Sequence, residues 1–524
     1  MLTTLLRDSR ALGVLAVPLV LTQLAQVALT TTDTVMLGLL GTTELAAGGL
    51  AFVIFNQIRT MGVGLVTSVG NQVAAAAARA EQAAGGADKH GTEGKGYQGN
   101  EGGRGGRDGK GGRDGRGGAQ VSAHDEVRAV VRASLAVATL AGITGALLMI
   151  LIGQALPLLG QDPEIVGLTR KMLSALAPGL LPCLWFQAVR QFTVGMRRPQ
   201  ALLRITLVSI GVNAGLNWIL IHGTFGLPRL GLTGVGIATS SVHLLSFAAL
   251  YLAAKRDAEL APLLGLDVTR TDPAVLRRIL GLGVPIAATY GSEAGFFSVT
   301  ALMAGSFGPD ALAAHTAVNQ LVYIVFQVAV GLSHAASINV SRELALGNHE
   351  GARRIKNTAL ACAGAVTTCV GALYLTAPRL VLAPFLDTGS GQALTLATHL
   401  LIVTAFLQFF DCAQNIGVGL LRGLDDTRSG FRITLIGYWA VGLPAAWLLA
   451  FPLHLDTLGI WLGLLTGLAA TAVLLLRRYS TALTSAHPAR HPHREPPTPL
   501  TPVKTPAPPA PSDASPPPAE GSAS

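Results

Sequence analysis

Long apolar runs without a charged residue recur along the whole sequence and restrict the fold more than any other feature. Three of them, 135–152, 433–449 and 458–476, contain no Asp, Glu, Lys or Arg. Each approaches the roughly 20 residues that a helix needs to cross the hydrocarbon core of a bilayer. Only 13% of the 524 residues are charged and 50% are hydrophobic. The sequence therefore predicts a polytopic membrane protein.

The apolar segments predict about twelve transmembrane helices. We place these spans at 11–40, 44–78, 129–156, 165–195, 202–222, 231–254, 277–306, 310–342, 355–386, 393–421, 431–451 and 457–476. Every second connection is basic, so the positive-inside rule predicts that these connections and both termini are cytoplasmic. The first apolar run continues past Pro18 to about Leu40 without a convincing cleavage site. We interpret it as a retained span of the inner (plasma) membrane.

Two segments have a composition that disfavours packed structure. A Gly-rich insertion at about 82–124, with its most biased part at 85–118, separates the second and third spans, and a Pro-rich tail covers 479–524. Such segments bury too little apolar surface to offset the entropy of ordering, so we predict disorder for both. The RGG-like repeats and the net charge of +9 are compatible with RNA or anionic lipid. We favour a solvated, topology-setting loop and predict no nucleic-acid partner.

The two halves of the chain repeat each other. A shift of 267 residues relates Pro18 to Pro285 and continues through the next span without a gap. Further along, a shift of 228 residues relates the sequence RITL at 204–207 to RITL at 432–435. The difference between the shifts, 39 residues, is about the length of the Gly-rich insertion. The first half therefore equals the second half plus one insertion.

This repeat predicts an all-α membrane protein with two pseudo-symmetric six-helix lobes. We place the lobes at 1–254 and 277–478 and a cytoplasmic loop between them at 255–276. Six spans is an even number, so both lobes have the same orientation and are related by an axis along the membrane normal. Such a duplication suits alternating access, in which two bundles rock about a site near the midplane.

Two acidic residues of the second half are the main candidates for ion coupling. Glu293 lies about 16 residues into the seventh span and Asp411 about 10 residues before the end of the tenth, so both are near mid-membrane at about 1.5 Å per residue. An ionisable residue retained at that depth usually faces a cavity and has a function. The pair can exchange a proton, or it can ligate sodium together with carbonyl and hydroxyl oxygens. A structural role as neutral or ion-paired acids is the alternative.

Polar residues of the first half form a second candidate site. Asp33 follows three threonines in the first span, and Asn213 and Asn217 share one face of the fifth span. Asp33 could serve a cation or an organic ammonium group, although interhelical hydrogen bonding alone also explains two asparagines. Arg190 and Gln26 complete the predicted polar cavity. A salt bridge or a capping contact is the structural alternative for Arg190.

The two halves have diverged at the acidic positions. Gln26 is the equivalent of Glu293, and Cys183 is the equivalent of Asp411. We therefore expect one half to do most of the ion coupling. The sequence contains no nucleotide-binding loop, GxSxG elbow or HExxH motif. The sequence therefore predicts a transporter that uses a sodium or proton gradient, is not an enzyme and has no cofactor.

At these residues the chain resembles the multidrug and toxic compound extrusion (MATE) family, and its NorM-type branch in particular. The motifs include TTTDTVMLG at 30–38, FQAVRQFTVGMRRP at 186–199 and FFDCAQNIGVGLLRGLDDTR at 409–428. The resemblance covers all twelve spans and omits only the insertion and the tail. It implies a V-shaped, two-lobe fold that exports cationic or amphipathic drugs and metabolites against inward-moving sodium or protons.

The resemblance also implies roles for individual residues. Glu293 and Asp411 match the cation-site acids of the family's second lobe, and they would be the metal ligands if sodium is the coupling ion. Asp33, Asn213 and Asn217 match the polar site of the first lobe. The chain departs from the family at the 39-residue insertion and at Arg59, which leaves the charge balance around Asp33 open.

The sequence thus predicts a monomeric antiporter for small organic cations or amphipathic drugs and metabolites, in contact with membrane lipid. A lipid-linked saccharide flippase is one alternative, and it should line its cavity with several basic residues for a pyrophosphate. A membrane scaffold that uses the insertion and the tail is another, and it predicts that substitution of Glu293 changes nothing.

Overall fold

The chain folds into helices joined by short connections. A computed structural model describes residues 2–93, 111–159, 162–226, 228–265, 267, 271–386 and 391–485. The helices are α1 (Leu2–Gly38), α2 (Thr42–Thr67), α3 (Val69–Glu93), α4 (Gly111–Ala155), α5 (Pro163–Gly195), α6 (Gln200–His222), α7 (Gly231–Arg256), α8 (Pro273–Gly305), α9 (Pro309–Ala345), α10 (His349–Thr376), α11 (Pro378–Leu382), α12 (Gly391–Gly423), α13 (Thr427–Leu435), α14 (Leu443–Ala450) and α15 (Asp456–Ser485). Three short 3₁₀ turns lie at Leu156–Leu159, Thr224–Gly226 and Ala261–Leu263.

Eleven helical stretches in the described part of the chain are long and apolar enough to cross a membrane. The seventh predicted span, α8, is 33 residues long, but it contains Glu293 and several Gly and Ser residues and is not among those eleven. The prediction of an all-α membrane protein with about twelve spans is confirmed.

The second predicted span, 44–78, lies within one apolar helical stretch, Thr42–Gln82, which has a one-residue irregularity at Ser68. α2 ends at Thr67 and α3 begins at Val69, on either side of that residue. Close packing marks this point, because a side chain at Gly70 would come within 2.8 Å of the Gln191 Oε1 atom of α5. α3 and α4 also extend helical backbone into both ends of the Gly-rich insertion, whose middle, 94–110, lies outside the described residues, as does the tail from 486.

The eleventh predicted span, 431–451, is not one regular α-helix. A seven-residue π-helix, Ile436–Gly442, connects α13 to α14. Pro444 follows it and has no N–H group to donate to the carbonyl four residues earlier, which favours a wider turn at this point. Close packing accompanies the widening, since a side chain at Gly442 would come within 3.0 Å of Phe296.

The helices form two lobes, α1–α7 (the N-terminal lobe) and α8–α15 (the C-terminal lobe). α5 is the most buried span of the first lobe, α9 and α15 are the most buried spans of the second, and α12 packs against both of them. The lobes pack together through glycines that allow close approach of the helix backbones. A side chain at Gly64 of α2 would meet Ala287 Cα of α8 at 2.6 Å, and one at Gly331 of α9 would meet Val20 of α1 at 2.7 Å.

The internal repeat is visible in backbone conformation. Gly41 and Gly308, related by the 267-residue shift, both have positive φ, at 144° and 104°. Arg197 and Asp425, related by the 228-residue shift, both have φ of 60° although neither is glycine. A left-handed conformation is uncommon for residues with a side chain, so its recurrence at equivalent turns confirms the pseudo-symmetry of the two lobes.

Polar contacts join the lobes at one end of the molecule, which we call the basic face because Arg197, Arg198, Arg342 and Arg478 lie there. Gln72 donates hydrogen bonds to the two carboxylate oxygens of Asp425 at 2.8 and 3.0 Å. Arg197 donates to Asn339 Oδ1 at 3.2 Å. Arg342 forms a bidentate ion pair with Glu81. We refer to these three residue pairs together as the clasp.

Two contacts of the clasp are equivalent under the repeat. Gln72 corresponds to Asn339 by the 267-residue shift, and Arg197 corresponds to Asp425 by the 228-residue shift. Each lobe therefore contributes one amide side chain, Gln72 of α3 or Asn339 of α9, and one left-handed turn residue that the other lobe's amide contacts. The closure of the basic face uses the pseudo-symmetry of the fold.

Candidate functional site

The first candidate site surrounds Asp33 inside the N-terminal lobe. Asn213 and Asn217 of α6 donate to the same Asp33 oxygen, Oδ1, at 2.6 and 2.8 Å. The Thr239 hydroxyl of α7 has one proton and two acceptors, Asp33 Oδ2 at 3.4 Å and the Val235 carbonyl at 3.0 Å. Asp33 is 1% exposed. The structure thus brings together three of the five residues that the sequence singled out in this lobe, Asp33, Asn213 and Asn217, and adds Thr239.

The threonines next to Asp33 do not supply its hydrogen bonds. Thr30, Thr31, Thr32 and Thr34 each donate to the backbone carbonyl four residues earlier in α1. This is a common arrangement for hydroxyl side chains inside a helix. The hydroxyl that reaches the carboxylate comes from a different helix, α7, which could not be foreseen from the local sequence.

Two acceptor atoms in this site have no donor. The Oδ1 atoms of Asn213 and Asn217 are buried and accept no hydrogen bond from the described residues. A buried polar atom without a partner costs roughly 1–3 kcal/mol. Two amide oxygens beside a carboxylate are a set of hard oxygen donors, which suits a proton donor or a small cation.

A cavity of about 70 Å³ adjoins this site. Its lining combines aromatic and polar side chains from several helices: Gln26, Asp33, Phe52, Phe55, Asn56, Arg59, Cys183, Phe186, Gln187 and His243. Arg59 donates to Asn56 Oδ1 at 3.2 Å. Gln26 and Cys183, the equivalents of the two acids in the other lobe, therefore face a common cavity in this one.

The second candidate site lies inside the C-terminal lobe and contains Glu293 and Asp411. Gln414 of α12 donates to Glu293 Oε1 at 3.4 Å, and the Tyr438 hydroxyl donates to the same oxygen at 3.2 Å. The hydroxyl of Tyr438 and the side chain of Gln414 are also bonded to each other, at 2.6 and 2.8 Å. Asp411 precedes Gln414 by three residues on α12, hence on the same helix face.

Asp411 is the most isolated acid of this site. It is 1% exposed, and Asn415 donates to its Oδ1 at 3.2 Å. Its Oδ2 atom has no hydrogen-bond partner among the described residues, and neither has the amide group of the buried Gln408. A lone buried carboxylate is costly when it is charged, so this position favours occupation by a proton or a cation. Asp411 interacts electrostatically with Glu293, which is half-buried, so the two predicted acids lie near each other in the C-terminal lobe.

Tyr438 is a site residue that sequence reasoning missed. It lies in the π-helix Ile436–Gly442, is 1% exposed and stacks on Phe296 with ring centroids 4.8 Å apart. The wide turn changes the direction in which the following side chains point around the helix axis. Such π-helical segments often occur at functional sites. A possible signal was present in the sequence, because Gly437, Gly442 and Pro444 all fall within one otherwise apolar span.

Arg190 does not reach a carboxylate in the part of the chain that the structure describes. It is 3% exposed and donates to Gln187 at 3.1 Å and to Gln23 of α1 at 3.1 Å. Gln23 in turn donates to Gln327 of α9 at 3.4 Å, across the interface between the lobes. Arg190 therefore lies at the lobe interface and not in the lining of the predicted polar cavity. Its hydrogen-bond partner Gln187 is part of that lining.

The sequence is similar to a set of membrane transporters. A family model described as MatE matches residues 118–219 and 285–448. The "Probable multidrug resistance protein NorM" of Pseudomonas aeruginosa is 34% identical over 472 residues, which cover 89% of this chain and 88% of that protein. A protein of the same name from Bradyrhizobium diazoefficiens is 34% identical over 474 residues, covering 89% and 91%.

Solved structures agree with this fold. The crystal structure of the eukaryotic MATE transporter AtDTX14 matches with a TM-score of 0.73 at 21% identity, covering 92% of this chain and 98% of that one. A structure described as the outward-facing conformation of a multidrug resistance MATE family transporter of the MOP superfamily matches with a TM-score of 0.75 at 18% identity, covering 92% and 98%.

Proposed function

The chain belongs to the multidrug and toxic compound extrusion (MATE) family, and on that premise we propose that it exports small organic cations or amphipathic drugs in exchange for sodium ions or protons. The protein acts as a monomeric transporter in the inner membrane, without enzymatic activity or a cofactor. The relatives that are 34% identical are named as multidrug resistance proteins, which favours export over a lipid-linked saccharide flippase or a scaffold.

The observation that carries this proposal is the buried carboxylate of Asp411. Its Oδ2 atom lacks a hydrogen-bond partner among the described residues, and it interacts electrostatically with Glu293, which accepts hydrogen bonds from Gln414 and Tyr438. A proton, or a sodium ion with carbonyl and hydroxyl ligands, would neutralise the site at little structural cost. Binding and release of that ion supply the free energy for export.

The conformational step involves the clasp. We propose that residues 1–254 and 277–478 move as two lobes, connected by 255–276, and that the basic face is cytoplasmic by the positive-inside rule. The clasp closes the basic face, so the conformation described above is outward-facing. Ion binding to the C-terminal lobe changes the relative free energies of the open and closed clasp, because an ion shifts a conformational equilibrium only through its differential affinity for the two states.

Substrate binding is assigned to the cavity of the N-terminal lobe. Asp33 provides negative charge for an organic ammonium group, and Phe52, Phe55 and Phe186 provide aromatic faces. A cation over an aromatic ring gains roughly 0.5–2 kcal/mol. Gln26, Gln187 and His243 of the lining offer hydrogen bonds to polar parts of a ligand. The cavity of about 70 Å³ is smaller than a drug-sized pocket, so a substrate must widen it when it binds.

Transport of a fluorescent organic cation into proteoliposomes tests the proposal. Sodium and proton gradients are imposed separately, and the parent is compared with Glu293→Gln and Asp411→Asn. Both variants should lose gradient-driven accumulation. The matched control, Glu164→Gln, removes an exposed acid of the first turn of α5 and should transport like the parent. If both buried-acid variants also transport like the parent, ion coupling through the C-terminal lobe is wrong.

A further inference from the structure

A groove of about 600 Å³ lies on the surface of the C-terminal lobe, outside both candidate sites. Its walls include Leu276, Arg277, Leu280 and Val284 of α8 and Arg428 of α13. These two helices pack against each other. The volume is within the roughly 300–1,000 Å³ of ligand sites in proteins. The groove is therefore large enough for a small molecule or for part of a lipid.

The apolar wall of the groove is one face of α8. Leu276, Leu280 and Val284 recur every four residues, so they lie on the same side of the helix. The opposite side packs against protein, since Ile279 is buried and a side chain at Gly283 would collide with the backbone of α2. Val284 is 54% exposed. An apolar face that no protein covers on a membrane-spanning helix is suited to contact with acyl chains.

Two arginines form the charged part of the groove. Arg277 and Arg428 are both exposed and line the same space. Among the residues that the structure describes, no ion pair involves either of them. The acids nearest in sequence already have partners: Asp272 accepts from the Ala274 N–H group, Asp425 pairs with Arg278, and Asp426 pairs with Arg478. The groove therefore carries two positive charges that the neighbouring side chains leave uncompensated.

The charged and apolar parts of the groove are at different depths. α8 begins at Pro273, and Arg278 of its second turn contacts Asp425 of the clasp, so this end of the helix belongs to the basic face. Val284 follows Arg277 by seven residues, which is about 10 Å along a helix axis. A headgroup region is roughly 5–7 Å thick on each side of the hydrocarbon core. Arg277 can thus lie among headgroups while Val284 contacts acyl chains.

The long segments of the chain outside the described residues do not complement this charge. Residues 94–110 contain four Lys or Arg and two Asp or Glu, and residues 486–524 contain three of each kind. Neither segment is acidic overall, whereas the groove is positively charged. The complementary partner is an amphipathic molecule with a negative charge at its polar end, and the membrane supplies such molecules.

We propose that this groove is a binding site for one anionic phospholipid. The headgroup phosphate lies between Arg277 and Arg428, and an acyl chain follows Leu280 and Val284 towards the centre of the bilayer. A guanidinium group donates a fork of two N–H groups that matches a phosphate. The repeat supplies no second pair of arginines, because the equivalents of Arg277 and Arg428 are Arg10 and Gln200. The site is separate from the proposed export function and does not depend on it.

Native mass spectrometry of the purified full-length protein in detergent tests the proposal. The protein is titrated with phosphatidylglycerol or with phosphatidylcholine of identical acyl chains. One arginine near an anionic lipid changes affinity about fivefold, so the pair should favour phosphatidylglycerol roughly 25-fold. Equal affinities for the two lipids would overturn the proposal.

Variants at exposed positions locate the site without disturbing the core. Arg277→Gln and Arg428→Gln should each weaken phosphatidylglycerol binding about fivefold and leave phosphatidylcholine binding unchanged. Val284→Ser shortens the apolar wall and should weaken both lipids alike. The matched control is Arg353→Gln, which removes an exposed arginine near the start of α10 and should bind like the parent. Unchanged binding in both groove variants, or an equal loss in the control, would exclude the site.

A photoactivatable phosphatidylglycerol with a diazirine in its acyl chain locates the lipid on the parent protein. Labelled peptides should include residues 273–285, and unlabelled phosphatidylglycerol should compete more strongly than phosphatidylcholine. Sodium phosphate, added at constant ionic strength, lacks the acyl chains and should not compete. Competition by phosphate would assign the groove to a free anion and contradict the lipid site, as would labelling that is confined to other helices.

Discussion

Removal of the two pseudo-symmetric contacts of the clasp should open the basic face. The double variant is Gln72→Ala with Asn339→Ala, which eliminates the hydrogen bonds to Asp425 and from Arg197. A hydrogen bond to a charged group contributes roughly 1.5–3 kcal/mol, but solvent weakens exposed pairs. The side chain of Asp425 is 37% exposed, so we assign about 1 kcal/mol to each contact.

These contacts do not touch each other, so their effects should add. Loss of about 2 kcal/mol changes the ratio of open to closed protein about 30-fold, and each single variant should change it about 5-fold. The assay is double electron–electron resonance between spin labels at residues 200 and 350, which are exposed at the starts of α6 and α10 on opposite lobes. The long-distance population should increase in the order parent, single variants, double variant.

Arg478→Gln is the matched control for this experiment. Arg478 pairs with Asp426, the neighbour of Asp425, but both partners belong to the C-terminal lobe. Its loss removes a polar contact of the basic face without separating the lobes, so the distance distribution should remain that of the parent. An unchanged distribution in the double variant, or an equal opening in the control, would refute the assignment of the clasp as the closing contact.

Three further predictions address the coupling site, the packing and the insertion. Tyr438→Phe keeps the stacking on Phe296 but removes the hydroxyl from Glu293; gradient-driven export should fall with little change in Tm, and wild-type export would contradict a role of the hydroxyl. Gly463→Val places a side chain against the backbone of Ala446; overpacking of this kind costs roughly 1–3 kcal/mol, so Tm should fall measurably, and an unchanged Tm would refute the close contact. Deletion of 85–118 should leave transport largely intact, and total loss of activity in correctly inserted protein would show that the insertion has a required function.

The fold could be predicted from the sequence because it depends on properties that persist over many residues. The spans follow from apolar length, and the lobes follow from a repeat that is long enough to exclude chance. The irregularity at Ser68 and the π-helix at Ile436–Gly442 could not be predicted in the same way. They depend on where one helix packs on another, and a single Gly or Pro in an apolar run does not specify that contact.

The candidate sites were predictable in part for a similar reason. A carboxylate in an apolar span is conspicuous, so Asp33, Glu293 and Asp411 could be selected from the sequence alone. Tyr438 was not conspicuous. A tyrosine is common near membrane interfaces, so only the packing reveals that it is buried.

The repeat also shows that the two lobes share two contacts of the clasp but differ in the residues of their candidate sites. The residues of the second candidate site have different equivalents in the first lobe: Glu293 corresponds to Gln26, Asp411 to Cys183, Gln414 to Phe186 and Tyr438 to Ile210. The residues of the first candidate site also have different equivalents in the second lobe: Asp33 corresponds to Thr300, Asn213 to Val441, Asn217 to Ala445 and Thr239 to Gly467. The contacts of Gln72 and Arg197, by contrast, remain polar at both equivalents.

This divergence predicts that restoring the acids alone cannot create a second coupling site. Gln26→Glu with Cys183→Asp would place two carboxylates in the N-terminal cavity, but Phe186 and Ile210 offer no hydrogen bond in place of Gln414 and Tyr438. Arg59 lies beside Cys183 and can pair with one of the two acids, which leaves the other charged without a partner, so the Tm of this double variant should fall as the pH rises above neutrality. Ion-to-substrate stoichiometry, measured from reversal potentials in proteoliposomes, should stay at the parent value, because coupling requires the hydrogen-bonded set and not only the acids. A higher stoichiometry with undiminished stability would mean that carboxylates suffice, and it would contradict the assignment of Tyr438 and Gln414 to the site.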